Sequence, residues 1–289
     1  MSTQNRYRGR SKIPLGIPTL DSMFNGGVPS GSSILLSSDV GAGASEFAYT
    51  SAAMVSMARH DPELFSIYHD RGDTDGDLPE EVHYVSFVRG EDDVQMELES
   101  VLNDDMYGVF TDNMVFKDFS REYFHNTVVP RSWVEEDVLS LESLGSAGNG
   151  DDENVLSAFA DYLDEHASNN LVIIDSLTEL VRATKGKIEW GDLLVLLSGL
   201  QRACKSWNGL IYALVNKDTL EERKHQEIAS IFDGIIHFNW EEGEMERQRT
   251  MHVGSFRGIM SELSEKENDK FETAVTGEGF EISSIRKIG

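Results

Sequence analysis

The chain is short of positive charge. Against 51 Asp and Glu it carries only 25 Lys and Arg, a net charge of -26 over 289 residues. Nucleic-acid binding relies on Lys and Arg facing phosphates, so a broad DNA- or RNA-binding surface is disfavoured. Cysteine is almost absent: Cys204 stands alone, so no internal disulfide can form. It falls within an apolar helical pattern, which makes it a packing residue. The 8 histidines are scattered without ligand spacing, which argues against a metal centre built on them. No apolar run approaches the roughly 20 residues of a membrane-spanning helix. Residues 1–12 are polar, with Arg6, Arg8 and Arg10, and lack the apolar segment of a signal peptide. A cytoplasmic protein with no membrane partner is the expectation.

The acid is spread along the chain. At low salt such charge repels itself and weakens the compact state. At molar salt the Debye length is only about 3 Å and the repulsion is largely screened. A salt-loving organism with a salty cytoplasm is therefore expected. The alternative is an acidic interaction face on a mesophile protein.

What is present begins with a glycine loop. Residues 38–45 read S-D-V-G-A-G-A-S, after the apolar run Ser33–Ser37 and before a helical pattern from Ser45 to Arg59. Strand, glycine loop, helix is the context of a G-x-x-x-x-G-K-[ST] phosphate loop, whose backbone N–H groups and helix N-terminus hold phosphates. Here Ser38 takes the first glycine position and Ala44 the lysine position, while Gly43 and Ser45 remain. The cradle is kept and its cation is gone. A bare strand-to-helix turn would use Gly41 and Gly43 equally well, so both readings stand.

Around this loop the pattern alternates. Buried strands are expected at 82–88, 114–116, 171–174, 209–215 and 234–238. Helices are expected at 19–24, 92–102, 153–166, 190–207 and 221–232, the 190–207 helix apolar almost all round and deeply packed. Residues 270–283 read as an antiparallel edge hairpin. The continuous run Leu171–Ile174 suits a central parallel strand and ends in Asp175-Ser176. Together these predict a mostly parallel sheet with helices on both faces, with ligands beyond the carboxyl ends of the strands. No internal repeat is present. The expected organisation is a basic flexible tail at 1–12 and one α/β domain at 13–289, with acidic insertions near 60–81 and 141–152.

The segment L-G-I-P-T-L-D-S-M-F-N-G-G-V-P-S-G-S (Leu15 to Ser32), running into the glycine loop, resembles the opening of KaiC/RadA-type ATPases of the RecA superfamily. Three further stretches fit in order: Tyr84–Phe87, Val172–Ser176 and Phe256–Gly258. The resemblance implies a RecA-like P-loop NTPase fold and ATP as ancestral ligand, bound between protomers of a ring or filament. Carried onto this chain, it places nucleotide on Asp39, Val40, Gly41, Ala42, Gly43, Ala44 and Ser45. It places Mg²⁺ near Ser45 and Asp175, and Arg257 against a neighbour's γ-phosphate.

The departures from that family matter more. The loop lysine is Ala44. The acidic pair that activates water falls on Val88 and Arg89. The K-x-R-G segment reads Ser255-Phe256-Arg257-Gly258 and lacks its lysine. Phosphoryl transfer depends on positioned charge, so no catalytic residue is assigned and a non-hydrolysing, haloarchaeal-type paralogue is expected. ATP with Mg²⁺ would then be a weak ligand or none. Lys217 and Arg89 are the residues that could replace the lost cation. Asp175 is open to a metal or water role or to loop hydrogen bonds, and Arg257 to a neighbour's nucleotide or an interface ion pair. The expected role is regulation or assembly through protein partners, either further copies or a related RecA-fold ATPase. The alternatives are an active ATPase with an unorthodox site, or a recombination and DNA-repair accessory protein.

Overall fold

Strands of five to ten residues, alternating with helices through the parallel part, build one large sheet. The computed structural model describes residues 11–69, 77–125, 127–134, 155–185, 188–242, 247–257 and 269–287. Its strands are β1 (Lys12–Ile13), β2 (Val28–Pro29), β3 (Ser32–Ser38), β4 (Val82–Ser86), β5 (Met114–Asp118), β6 (Leu171–Asp175), β7 (Leu210–Asn216), β8 (Gly234–Glu242), β9 (Arg247–Phe256), β10 (Asp269–Thr276) and β11 (Gly279–Lys287). The helices are α1 (Pro18–Met23), α2 (Ala44–His60), α3 (Pro62–Tyr68), α4 (Glu91–Val101), α5 (Asp104–Asp112), α6 (Ser120–Phe124), α7 (Val155–His166), α8 (Leu177–Thr184), α9 (Trp190–Trp207) and α10 (Glu222–Ala229).

The main sheet has 9 strands in the order β11-β10-β9-β8-β3-β7-β6-β4-β5. The block from β8 to β5 is parallel, and β9, β10 and β11 close one edge as antiparallel strands. Side chains alternate across a strand, so each central strand feeds two cores. Ile34, Leu36, Tyr84, Ile173 and Tyr212 pack on one face beneath α2. Leu35, Val85, Val172, Ile174 and Ile211 pack on the other, with residues of α7 and α9.

Several sequence expectations need correction. Residues 60–81 are not a simple loop. Pro62–Tyr68 is helical, capped by Asp61 Oδ1 accepting from Leu64 N at 3.0 Å, and it buries Phe65. Lys12 does not belong to a free tail, because it lies in β1 and its Nζ donates to Phe24 O at 2.6 Å. Helix α9 is not packed all round. It buries Leu193, Leu197, Leu200 and Cys204, a stripe at helical spacing, while Val195 on the other side is 72% exposed. Residues 1–10 and 141–152 lie outside the described residues.

In the opening motif Asp21 is buried, and its Oδ1 accepts from Leu15 N at 2.6 Å. That acid holds a turn.

Candidate functional site

The ends of β3, β4, β6 and β7 converge on one sheet edge. Ser38 pairs with Asn216, and Ser86 with Asp175. The 39–43 loop and Asp175 therefore share that edge, with β7 between their strands. Gly41 (φ 70°) and Gly43 (φ 115°) both adopt left-handed backbone, which glycine enters without a Cβ penalty. At Gly43 the need is double, since a Cβ would also meet the Phe280 ring at 3.3 Å. The Ala42 N–H closes a turn on Asp39 O at 3.1 Å. The Gly43, Ala44 and Ser45 amides have no acceptor among the described residues. They open α2, whose N-terminus carries the helix's partial positive charge.

The outside of the loop is tied down. Trp240 Nε1 donates to Val40 O at 3.0 Å and Arg249 Nε to Gly41 O at 3.1 Å. Lys217 Nζ lies 2.6 Å from Asp39 Oδ1 and 2.9 Å from Asn239 Oδ1, while Trp240 N donates to Asp39 Oδ2 at 2.8 Å. Burial alone would raise the pKa of Asp39, but Lys217 and the Trp240 amide bring it below the ordinary carboxylate value. Arg249 and Trp240 thus grip the loop by its Gly41 and Val40 carbonyls and leave the Gly43 to Ser45 amides unused. Lys217 does reach the loop, as the sequence allowed, but its charge is matched by Asp39.

The second candidate cation is committed more deeply. Arg89 Nη1 lies 3.2 Å from Asp175 Oδ2, and its Nη2 pairs with Glu97 Oε2. Tyr84 Oη donates to the same Asp175 Oδ2 at 2.5 Å, and Tyr49 Oη to Glu97 Oε2 at 3.1 Å. The two tyrosine hydroxyls lie 3.2 Å apart, so the four side chains and the guanidinium form a closed ring of polar contacts. Burial raises the Asp175 pKa and outweighs the lowering by Tyr84 and Arg89. Burial works against the Arg89 charge, yet Tyr49, Tyr84, Glu97 and Asp175 together hold the guanidinium firmly protonated. The Arg89 position was marked in the sequence as a loss of acid. That it pairs with Asp175, 86 residues away, was not legible there.

Between loop and ring lies a cleft of about 330 Å³. Its lining includes loop residues Ser38 to Gly41 and Gly43 to Ser45, together with Asp175 and Ser176. Asp39, Glu46, Glu97, Asp175 and Glu179 bring five carboxylates to the wall, against the single guanidinium of Arg182. Arg182 is itself paired, its Nη1 2.6 Å from Glu179 Oε1. Of the residues anticipated for the site, the cleft gathers Asp39, Val40, Gly41, Gly43, Ala44, Ser45 and Asp175; Ala42 is buried behind it.

Arg257 is not part of this chain's cleft. Strand β9 runs antiparallel, so Arg249 stands by the loop and Arg257 follows the far end, where Phe256 pairs with Gly234. Its guanidinium donates to Ser230 O, and to Ile231 O at 3.4 Å, beyond the carboxyl end of α10. Any contact of Arg257 with a nucleotide would have to be with one bound to another copy.

Strand order, glycine loop and edge acid define the class: an α/β protein with a RecA-like fold. No protein-family model matches the chain, and no curated protein matches it. Among solved structures, a KaiC-like protein from the hyperthermophilic archaeon Pyrococcus horikoshii OT3 superposes on 95% of this chain and 100% of its own, with TM-score 0.60 and 15% sequence identity. At that identity the likeness is one of fold. Among the described residues no helix is long and apolar enough to cross a membrane, and no group of three or more His, Cys, Asp or Glu is placed to hold a metal ion.

Proposed function

We propose that this chain is a RecA-fold protein that does not hydrolyse nucleotide and acts through protein partners, as a regulatory or assembly subunit. One observation carries the reading. The cleft where phosphates would sit has five carboxylates on its wall, no lysine at position 44, and a single arginine already paired with Glu179. Asp39 is matched by Lys217, Asp175 and Glu97 by Arg89, and Glu179 by Arg182, so these cations are already committed where transfer of a phosphoryl group requires positive charge aimed at the phosphates. Val88 and Arg89 stand where the related family has its water-activating acids, and Arg89 is paired with Asp175 and Glu97. Weak ATP binding through the Gly43 to Ser45 amides is compatible with this proposal. Partners would be further copies or a related RecA-fold ATPase. Direct nucleic-acid binding is disfavoured by the net charge of -26.

A second reading, an unorthodox ATPase, draws support from Lys217, Arg247 and Arg249. Arg247 and Arg249 lie over Trp240, at 5.3 and 4.9 Å from its ring centroid, and Lys217 meets Asp39. Steady-state turnover at molar KCl decides between them. The expected result is phosphate release at background level, unchanged by Asp175→Asn. Turnover abolished by that substitution would promote the ATPase reading.

A further inference from the structure

The related ATPases imply a divalent cation beside Asp175 and Ser45, and the residues present do not fit one. Asp175 Oδ2 already accepts from Tyr84 Oη at 2.5 Å and from Arg89 Nη1 at 3.2 Å. The nearest further carboxylate in the ring, Glu97, is held by the same guanidinium and by Tyr49. Arginine carries a permanent charge in a planar fork that bridges two carboxylates. A cation approaching the remaining oxygen of Asp175 would therefore meet a fixed positive charge on the same carboxylate, and displacing that guanidinium would be costly because it strands the charge of Asp175.

We propose that Arg89, behind the wall and paired with its carboxylates Asp175 and Glu97, stands in for a divalent metal, so that the cleft takes whatever it binds without Mg²⁺. The bridge has a structural basis in the fold. Arg89 leaves the end of β4, which pairs with β6 in register Ser86 to Asp175, and Glu97 lies on α4 just after it. The Ser86 hydroxyl fixes the intervening turn, accepting from Arg89 N at 3.0 Å and donating to Arg89 O at 2.8 Å. The guanidinium is thus delivered to Asp175 by the same strand pair that places the acid at the sheet edge. Neutral Ser45 remains at the wall, while Asp175, the acid that would share a metal with it, is engaged by Arg89 and Tyr84. This inference concerns the same cleft as the non-hydrolysing reading, yet it stands on the Arg89 geometry.

The test is Mn²⁺ binding at molar KCl, read by electron paramagnetic resonance, where nonspecific attraction to the acidic surface is screened. Wild type and Asp175→Asn should show the same Mn²⁺ isotherm, with no saturable site separating them. Arg89→Met keeps the aliphatic stem and removes the charge, leaving Asp175 and Glu97 facing each other. It should gain a saturable Mn²⁺ site, lost again in Arg89→Met/Asp175→Asn, whereas Arg89→Lys should gain none. A wild-type site that Asp175→Asn abolishes overturns the proposal, and so does a folded Arg89→Met with no gain. If Arg89→Met does not fold, the wild-type and Asp175→Asn pair decides alone. Metal-independent ATP turnover would sink the non-hydrolysing reading and leave this one standing. A wild-type metal site without turnover would do the reverse.

Discussion

Restoring the missing loop cation is the sharpest probe of the cleft. Ala44 is 4% exposed, opens α2 and lines the cleft beside Gly43 and Ser45. A lysine there would present an ammonium to any phosphate held by the three amides. A charge-assisted hydrogen bond contributes about 1.5–3 kcal/mol. Two effects oppose it. A cation in the first turn of a helix costs roughly 0.3–1 kcal/mol. Ordering the long side chain costs up to about 2 kcal/mol, part of which is lost whether or not ligand binds. Glu97 and Asp175 line the same cleft, but Arg89 already matches them, so their pull on the new charge is reduced. The net gain should be about 1.4 kcal/mol, a tenfold tightening.

Calorimetric titration with ATP at molar KCl, for wild type, Ala44→Lys and Ala44→Met, reads this directly. Ala44→Lys should bind about tenfold more tightly than either of the others, since Ala44→Met adds bulk without charge. Hydrolysis should stay at background, because Val88 and Arg89 still cannot orient water. Equal affinity in all three would mean that the Gly43 to Ser45 amides do not converge on a phosphate. The loop would then be a strand-to-helix turn and nothing more.

Other outcomes follow from the same structure. His237 is pushed down to about 4, first by burial and then by His252. The unfolded chain takes up that proton near 6.5, so stability should hold above this pH and fall by on the order of 2–3 kcal/mol toward pH 4. Urea melts at molar KCl, pH 7.5 against pH 5, check it, and equal stability would refute the burial of His237. Gly43→Ala should cost on the order of 2 kcal/mol, from left-handed strain plus the Phe280 ring at 3.3 Å. Gly41→Ala, with open space around its Cβ, should cost less; the reverse order in denaturant melts would refute the packing of Phe280 behind the loop. With a net charge of -26, Tm should climb as KCl rises from millimolar to molar. A flat series would remove the inference of a salty cytoplasm.

Much of the architecture was written locally. Strand and helix periods differ, so β3, β6, β7 and α9 can be read from the spacing of apolar residues alone. The glycine loop could be placed between strand and helix for the same reason. Helices α3, α5 and α8 were signalled by caps at Asp61, Asn103 and Ser176, each of which accepts from a backbone amide in the next turn. At 60–81 the acidic composition suits a solvated loop as well as a capped helix, so composition alone does not reveal α3. Apolar content also overstated the packing of α9, since composition does not say which side of a helix meets the sheet.

The character of the cleft was decided elsewhere. Sequence determined that position 44 carries no charge and that Arg89 replaces an acid, because these are facts of residue type. Only the tertiary structure decided that Arg89 falls on Asp175, that Lys217 is spent on Asp39 and that Arg257 lies beyond the opposite end of β9 from the loop. Strand order and register set those meetings across dozens to hundreds of residues. No local period carries that information, since a pairing shifted by one residue turns every side chain to the other face of the sheet.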